Sequence, residues 1–198
     1  MNLLILGPQG AGKGTQAVRI AAEHDVPHVS TGDMLRSAIA DGSELGLQVK
    51  PIVDRGDLVP DELMIALIRE RLSAPDTRRG FVLDGFPRTL AQAEALDPML
   101  HEIGKDLGAV LVLEVPDAVA VERLRRRAEI EGRRDDTPEA IARRLRNYHE
   151  QTAPLVDWYR ARDKVAPIDG TSSIEEVWEQ IQDVLDRFDR TVSAEHHA

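Results

Sequence analysis

The chain has 198 residues, 42% of them hydrophobic, with a formal net charge of −10 and no cysteine. That length suits one substantial domain with a real core, and the acidic balance argues against a general nucleic-acid binder, which needs a basic surface. Without cysteine there are no disulfides or thiolate metal sites, in keeping with a reducing cytoplasm, and no apolar run reaches the roughly 18 residues of a membrane span.

The first apolar run, Leu3 to Leu6, reads as a buried strand, not a signal segment. It runs into Gly7-Pro8-Gln9-Gly10-Ala11-Gly12-Lys13-Gly14-Thr15. A strand entering a glycine-rich loop with a lysine, followed by a helix over Gln16 to His24, is a phosphate cradle. The glycines let backbone N–H groups approach phosphate oxygens, Lys13 adds a cation, and the helix presents its positive end. The spacing is irregular, because Gly14 separates the lysine from Thr15 where a magnesium-binding hydroxyl usually follows directly. A tight turn with no ligand is the alternative reading.

A weaker run, Pro27 to Ser30, precedes Thr31-Gly32-Asp33-Met34-Leu35-Arg36. Asp61 to Leu72 carries apolar residues at helical spacing. Phe81 to Leu83 is a further strand and leads into Asp84-Gly85-Phe86-Pro87-Arg88-Thr89; Val110 to Val115 and Val165 to Ile168 are two more. Continuous apolar strands alternating with helices predict an α/β fold, a five-stranded parallel sheet covered on both faces, with ligands at the C-terminal strand ends. Arg123 and Arg127 are four apart on one helical face, away from Val121 and Leu124, so a solvated basic face and a phosphate site are both open. A longer helix starts near Asp136-Thr137-Pro138-Glu139, capped by Asp136 or Thr137, with the seam Ile141, Leu145, Tyr148, Thr152 and Leu155 and a break at Pro154. Arg144 flanks that seam and needs an anion, whereas Arg143 points away. The last helix spans Ile174 to Phe188, and Thr191 to Ala198 read as a frayed end that includes His196 and His197. No repeat or low-complexity linker interrupts the single domain. The 21 arginines against 4 lysines fit either a compositional bias or a need to grip phosphates.

The phosphate loop, the Thr31 to Arg36 and Asp84 to Thr89 motifs, and Gly132-Arg133-Arg134-Asp135-Asp136 occur in an order that resembles the adenylate kinases, from Met1 to about Asp189. The resemblance implies a three-layer P-loop NTPase sandwich with a helical acceptor-binding flap at 30–59 and a short lid at 126–136, too short for a β-structured or zinc-bearing lid. It implies reversible transfer from MgATP to AMP, giving two ADP, by a cytoplasmic monomer without nucleic-acid or membrane partners. ATP would be held by Gly10, Ala11, Gly12, Lys13, Gly14, Thr15, Arg123, Arg127 and Gly170. AMP would meet Thr31, Arg36, Asp57, Leu58, Val59, Gly85, Phe86, Pro87, Arg88, Gln92, Arg133 and Arg144. Lys13, Arg88, Arg123, Arg133 and Arg144 would be catalytic, and Asp84 would hold Mg2+ through water, its other reading being a turn cap. On its own Gln92 reads as a plain helix-surface residue, and Asp135 and Asp136 read as partners of arginines. Gln9 stands where many such kinases carry proline and is tolerable because the backbone does the binding. A UMP/CMP kinase is the nearest alternative. It typically has alanine where Thr31 stands, so Thr31 favours AMP. A GTP-using AMP kinase and a non-catalytic nucleotide-binding protein are the others.

Overall fold

The computed structural model describes residues 1–133 and 135–195; Arg134, and residues 196–198 with His196 and His197, lie outside the described residues. Strand β1 (Asn2–Leu6) is followed by helix α1 (Lys13–His24), β2 (His28–Ser30), α2 (Thr31–Ala40), α3 (Glu44–Arg55) and α4 (Asp61–Leu72). A 3-10 turn at Pro75–Arg79 leads to β3 (Phe81–Asp84), α5 (Leu90–Glu102), β4 (Ala109–Glu114), α6 (Asp117–Glu131) and α7 (Pro138–Asn147). A π-helical turn (Tyr148–Thr152), α8 (Pro154–Arg160), β5 (Val165–Asp169) and α9 (Ile174–Glu195) complete the order.

The five strands form one parallel sheet in the order β2-β3-β1-β4-β5. They are continuously apolar because both faces are covered. Leu4, Leu6, Phe81, Leu83, Val110 and Val112 pack with α4, α5 and α8 on one side. Leu3, Ile5, Val82, Leu111 and Leu113 pack with Ala17 and Ile20 of α1 and Val177, Ile181 and Leu185 of α9 on the other. The alternation along each strand follows the two-residue period. A smaller cluster of Ala120, Leu124, Ile141 and Leu145 pins α6 to α7 beside the sheet.

The structure corrects several expected boundaries. Helix α1 begins at Lys13, three residues ahead of Gln16, because Gly12 takes the left-handed conformation (φ 93°) from which the helix can start. Thr137, not Asp136, caps α7, its hydroxyl accepting from the Ala140 N–H at 3.2 Å. The break foreseen at Pro154 starts earlier: Ala153 N–H donates to Tyr148 O at 2.7 Å, a five-residue step. Pro154 has no N–H to offer and its ring crowds the preceding turn, so that turn widens. Helix α9 continues through Thr191 to Glu195, since no Gly or Pro follows Phe188 to stop it. The expected flap contains α2 and α3, and the expected lid is the last turn of α6 with the turn into α7.

Candidate active site

All five strand ends point to one edge of the sheet, where the motifs gather. After Leu6 the chain turns through the glycine loop and enters α1, whose first N–H groups face the cleft as an anion-binding helix start. Gly10 (φ 86°) lies so close to α6 that a Cβ there would be 2.5 Å from Ala120 O, so only glycine fits. Lys13 Nζ donates to Gly7 O at 2.8 Å and Pro8 O at 2.9 Å. Burial lowers its pKa to about 8; Asp84 opposes that, and Arg88 and Arg127 reinforce it.

Asp84 ends β3 and, in register, faces Ile5 of β1 and Ser30 of β2. Burial alone would raise its pKa, but His28, Lys13 and Arg88 outweigh burial and hold the carboxyl below its ordinary value. His28 Nε2 lies 3.4 Å from Asp84 Oδ2 without hydrogen-bond geometry. The sequence reading missed His28; its signal was a polar residue two positions before Ser30, on the same strand face. A Cβ placed on Gly14 would be 3.8 Å from Asp84 Oδ2, so the carboxylate looks at the start of α1.

The arginines arrive from three directions, each oriented by a protein oxygen. Arg88 is half-buried, and its Nε donates to Gly85 O at 2.8 Å. Burial depresses its pKa, Asp84 counteracts this, and Arg144 and Arg36 add to the depression. Arg123 Nη1 reaches Gly170 O at 2.8 Å, so its helical face is turned to the cleft and not to solvent. Arg127 donates to both oxygens of Asp136 at 2.7 to 3.0 Å, and Arg144 reaches Asp136 at 2.5 Å and Asp135 at 2.7 Å. The Asp136 side chain has no exposed surface, so it is a buried carboxylate between two guanidinium groups. Arg133 pairs with Glu131 at 2.5 Å. Arg126 also lines the cleft, a position the helix-face reading had not assigned, while Arg125 is outside it.

On the acceptor side, Thr31 is buried and its hydroxyl lies 3.4 Å from Asp84 O. Arg36 pairs with Asp33, whose N–H donates to the Ser30 hydroxyl at 3.2 Å. Asp57, Leu58 and Val59 line the cleft with Leu35, Val53 and Met64. Arg143 does point away from the cleft, yet Nη1 meets Asp57 Oδ1 at 2.9 Å. Arg143 and Arg55 hold the Asp57 carboxyl below its usual range. Gln92 is not a surface residue: it is 2% exposed, its oxygen accepts from Arg88 N–H at 2.8 Å and its nitrogen donates to Asp61 at 2.8 Å. One N–H and one lone pair of the amide remain. Phe86 and Pro87 are not brought into the cleft; Phe86 is fully buried in the core, and Pro87 borders a separate small pocket beside the loop.

Gly10 to Thr15, Thr31, Arg36, Asp57 to Val59, Asp84, Gly85, Arg88, Gln92, Arg123, Arg127, Arg133, Arg144 and Gly170 therefore share one cleft of about 1140 Å3. That exceeds the usual 300–1,000 Å3 of a single-ligand pocket. A phosphate loop on the first strand of a parallel sheet, facing converging arginines across a cleft with room for two ligands, defines a P-loop nucleotide kinase.

The family model described as adenylate kinase matches residues 5–164. An adenylate kinase of Xanthomonas euvesicatoria is 48% identical over 187 residues, spanning 94% of this chain and all of that one. One from a Cyanothece species is 51% identical over 187 residues (94% and 96%), and one from Archaeoglobus fulgidus 44% over 215 (95% and 99%). The chain belongs to the adenylate kinase family. It is an enzyme of phosphoryl transfer between ATP and AMP, and these matches do not favour the pyrimidine alternative.

Proposed function

We propose that the cleft holds MgATP and AMP with their phosphates inward, and that its cations carry the phosphoryl group between them. The observation that supports this best is the convergence of Lys13, Arg88, Arg127 and Arg144 on one cleft, from four separate stretches of chain. Phosphoryl transfer asks a protein mainly to align two nucleotides and to neutralise the charge on the moving group.

Lys13 takes the β and γ phosphates of ATP, beside the N–H groups of Gly10 to Thr15. Arg123 and Gly170 border the donor base, and Arg127 reaches the donor phosphates. Thr31 and Arg36 hold AMP, the backbone of Asp57, Leu58 and Val59 and the remaining amide groups of Gln92 meet the acceptor base, and Gly85 lets it approach. Arg88 bridges the acceptor phosphate and the transferred group, with Arg144 and the lid arginine Arg133 beside it. Helices α2 and α3 act as the acceptor flap, and segment 126–136 as the lid that excludes water.

The residues present fit magnesium. Among the described residues no cluster of three His, Cys, Asp or Glu side chains could hold a metal ion, and the carboxylate that looks at the start of α1 is Asp84, largely buried and with its pKa held low. Mg2+ suits so sparse a set, because it keeps several waters and completes its shell with phosphate oxygens. Asp84 would hold it through water, and the bound ion would neutralise charge on the phosphates.

The cleft is complete within one chain, which supports a monomer. The net charge of −10 weighs against nucleic-acid partners, and no described helix is long and apolar enough to cross a membrane. On this reading the enzyme works in the cytoplasm without nucleic-acid or membrane partners. A coupled assay for ADP, with ATP, magnesium and AMP, CMP, UMP or GMP offered separately, tests the acceptor assignment. Turnover is expected with AMP alone; comparable turnover with CMP or UMP would overturn the role given to Thr31.

A further inference from the structure

Helix α7 carries more than Arg144. Ala140, Arg143, Arg144 and Asn147 recur at i, i+3, i+4 and i+7 and so share one face. That face meets the end of the acceptor flap through four contacts, at Val53, Gly56 and Asp57. Arg144 Nη2 is 3.5 Å from Val53 O, and Asn147 Nδ2 donates to Gly56 O at 3.1 Å. Arg143 holds Asp57 from the same stripe at 2.9 Å. Gly56 (φ 76°) approaches so closely that a Cβ would be 2.6 Å from Ala140 O. No other residue type would allow that backbone contact without moving the loop.

We propose that Arg143 and Asn147 are positioning residues for the acceptor nucleotide: from α7 they fix the loop at Gly56 and Asp57, in register with Arg144 on the same helix. The inference rests on the reading above that Asp57 to Val59 meet the acceptor base. Neither residue lines the cleft. Their effect is to order, before AMP arrives, a loop that AMP would otherwise have to order on binding, and such a cost falls on acceptor affinity. The Asn147 contact matters more than the Arg143 ion pair, because the Arg143 side chain is 43% exposed and its pair is screened by water.

The test is steady-state kinetics on Asn147→Ala, Arg143→Met and their double variant, with thermal midpoints as a fold control. The double variant is expected to raise KM for AMP by about tenfold, with kcat and KM for ATP within about twofold of the parent. Arg143→Lys should restore the parental KM, since a single donor suffices for the one contact to Asp57. Arg146→Ala, an exposed neighbour on the same helix, should change nothing. Thr31→Ala is measured alongside. If Thr31→Ala raises KM for AMP while the double variant leaves it within about twofold, the positioning role is overturned and the acceptor reading stands. If Thr31→Ala also leaves KM unchanged, the acceptor reading fails and takes this inference with it. A fall in kcat with KM for AMP unmoved would likewise overturn the inference, because a positioning role for the base loop acts on affinity.

Discussion

The phosphate loop and the arginine rim hold their cations in opposite ways. Lys13 is tethered to carbonyls six and five residues back in its own loop, Gly7 and Pro8. Arg127 and Arg144 are tethered to a carboxylate, Asp136, that a turn brings back between two helices. The first arrangement is built from backbone, with burial lowering the lysine's pKa to about 8; the second uses a buried acid to aim its guanidinium groups. A local motif can thus supply a cation whose protonation responds to pH, whereas the rim supplies cations whose geometry depends on tertiary structure.

The sharpest way to break this comparison is at Lys13. Lys13→Met is expected to lower kcat by about a thousandfold, the range seen when a preorganised charge is removed from a reacting group. Its stability should move the other way with pH. The Lys13 pKa is about 8 in the fold and about 10.4 when unfolded. Between those values the unfolded chain binds more protons, so stability supplied by this residue rises with pH. Urea unfolding at pH 7.5 and 9.5 should show the parent gaining on Lys13→Met, and an equal response in both proteins would refute the depressed pKa.

Asp136→Asn should cost both function and stability. It leaves Arg127 and Arg144 without their shared buried anion, and breaking such a cluster costs about 3 kcal/mol. A lowered thermal midpoint with kcat reduced about tenfold is expected; unchanged kcat would mean the rim does not need aiming. The last contrast sets α6 against α7: Arg126→Gln should shift KM for ATP by no more than about twofold, against about a hundredfold loss of kcat/KM for Arg144→Ala. Similar losses at the two would erase the distinction between an aimed and an unaimed arginine.

The same contrast explains what could be read from the sequence. Strands β1, β3, β4 and β5, the loop around Lys13 and the helix Asp61 to Leu72 were legible because each is specified by neighbours in the chain. Arg144 was distinguishable from Arg143 because its place beside Ile141 and Tyr148 is a local periodicity. Gln92 was misread as exposed, because its burial depends on Arg88 and Asp61, which the fold brings together. His28 went unnoticed for a similar reason: only the pairing of β2 with β3 sets it beside Asp84. Phe86 and Pro87 share a motif with Gly85 and Arg88, yet the loop that follows β3 turns them away from the cleft.

The backbone contact between Gly10 and Ala120 has a mechanical consequence. With no side chain between them to yield, the glycine loop serves as the fulcrum of α6, and the ten helical rises from Ala120 to Ile130 form a lever arm of about 15 Å. A tilt of about 10° at that fulcrum sweeps Ile130 through roughly 3 Å at the mouth of the cleft. Any displacement of the arm therefore presses directly on the loop that carries Lys13.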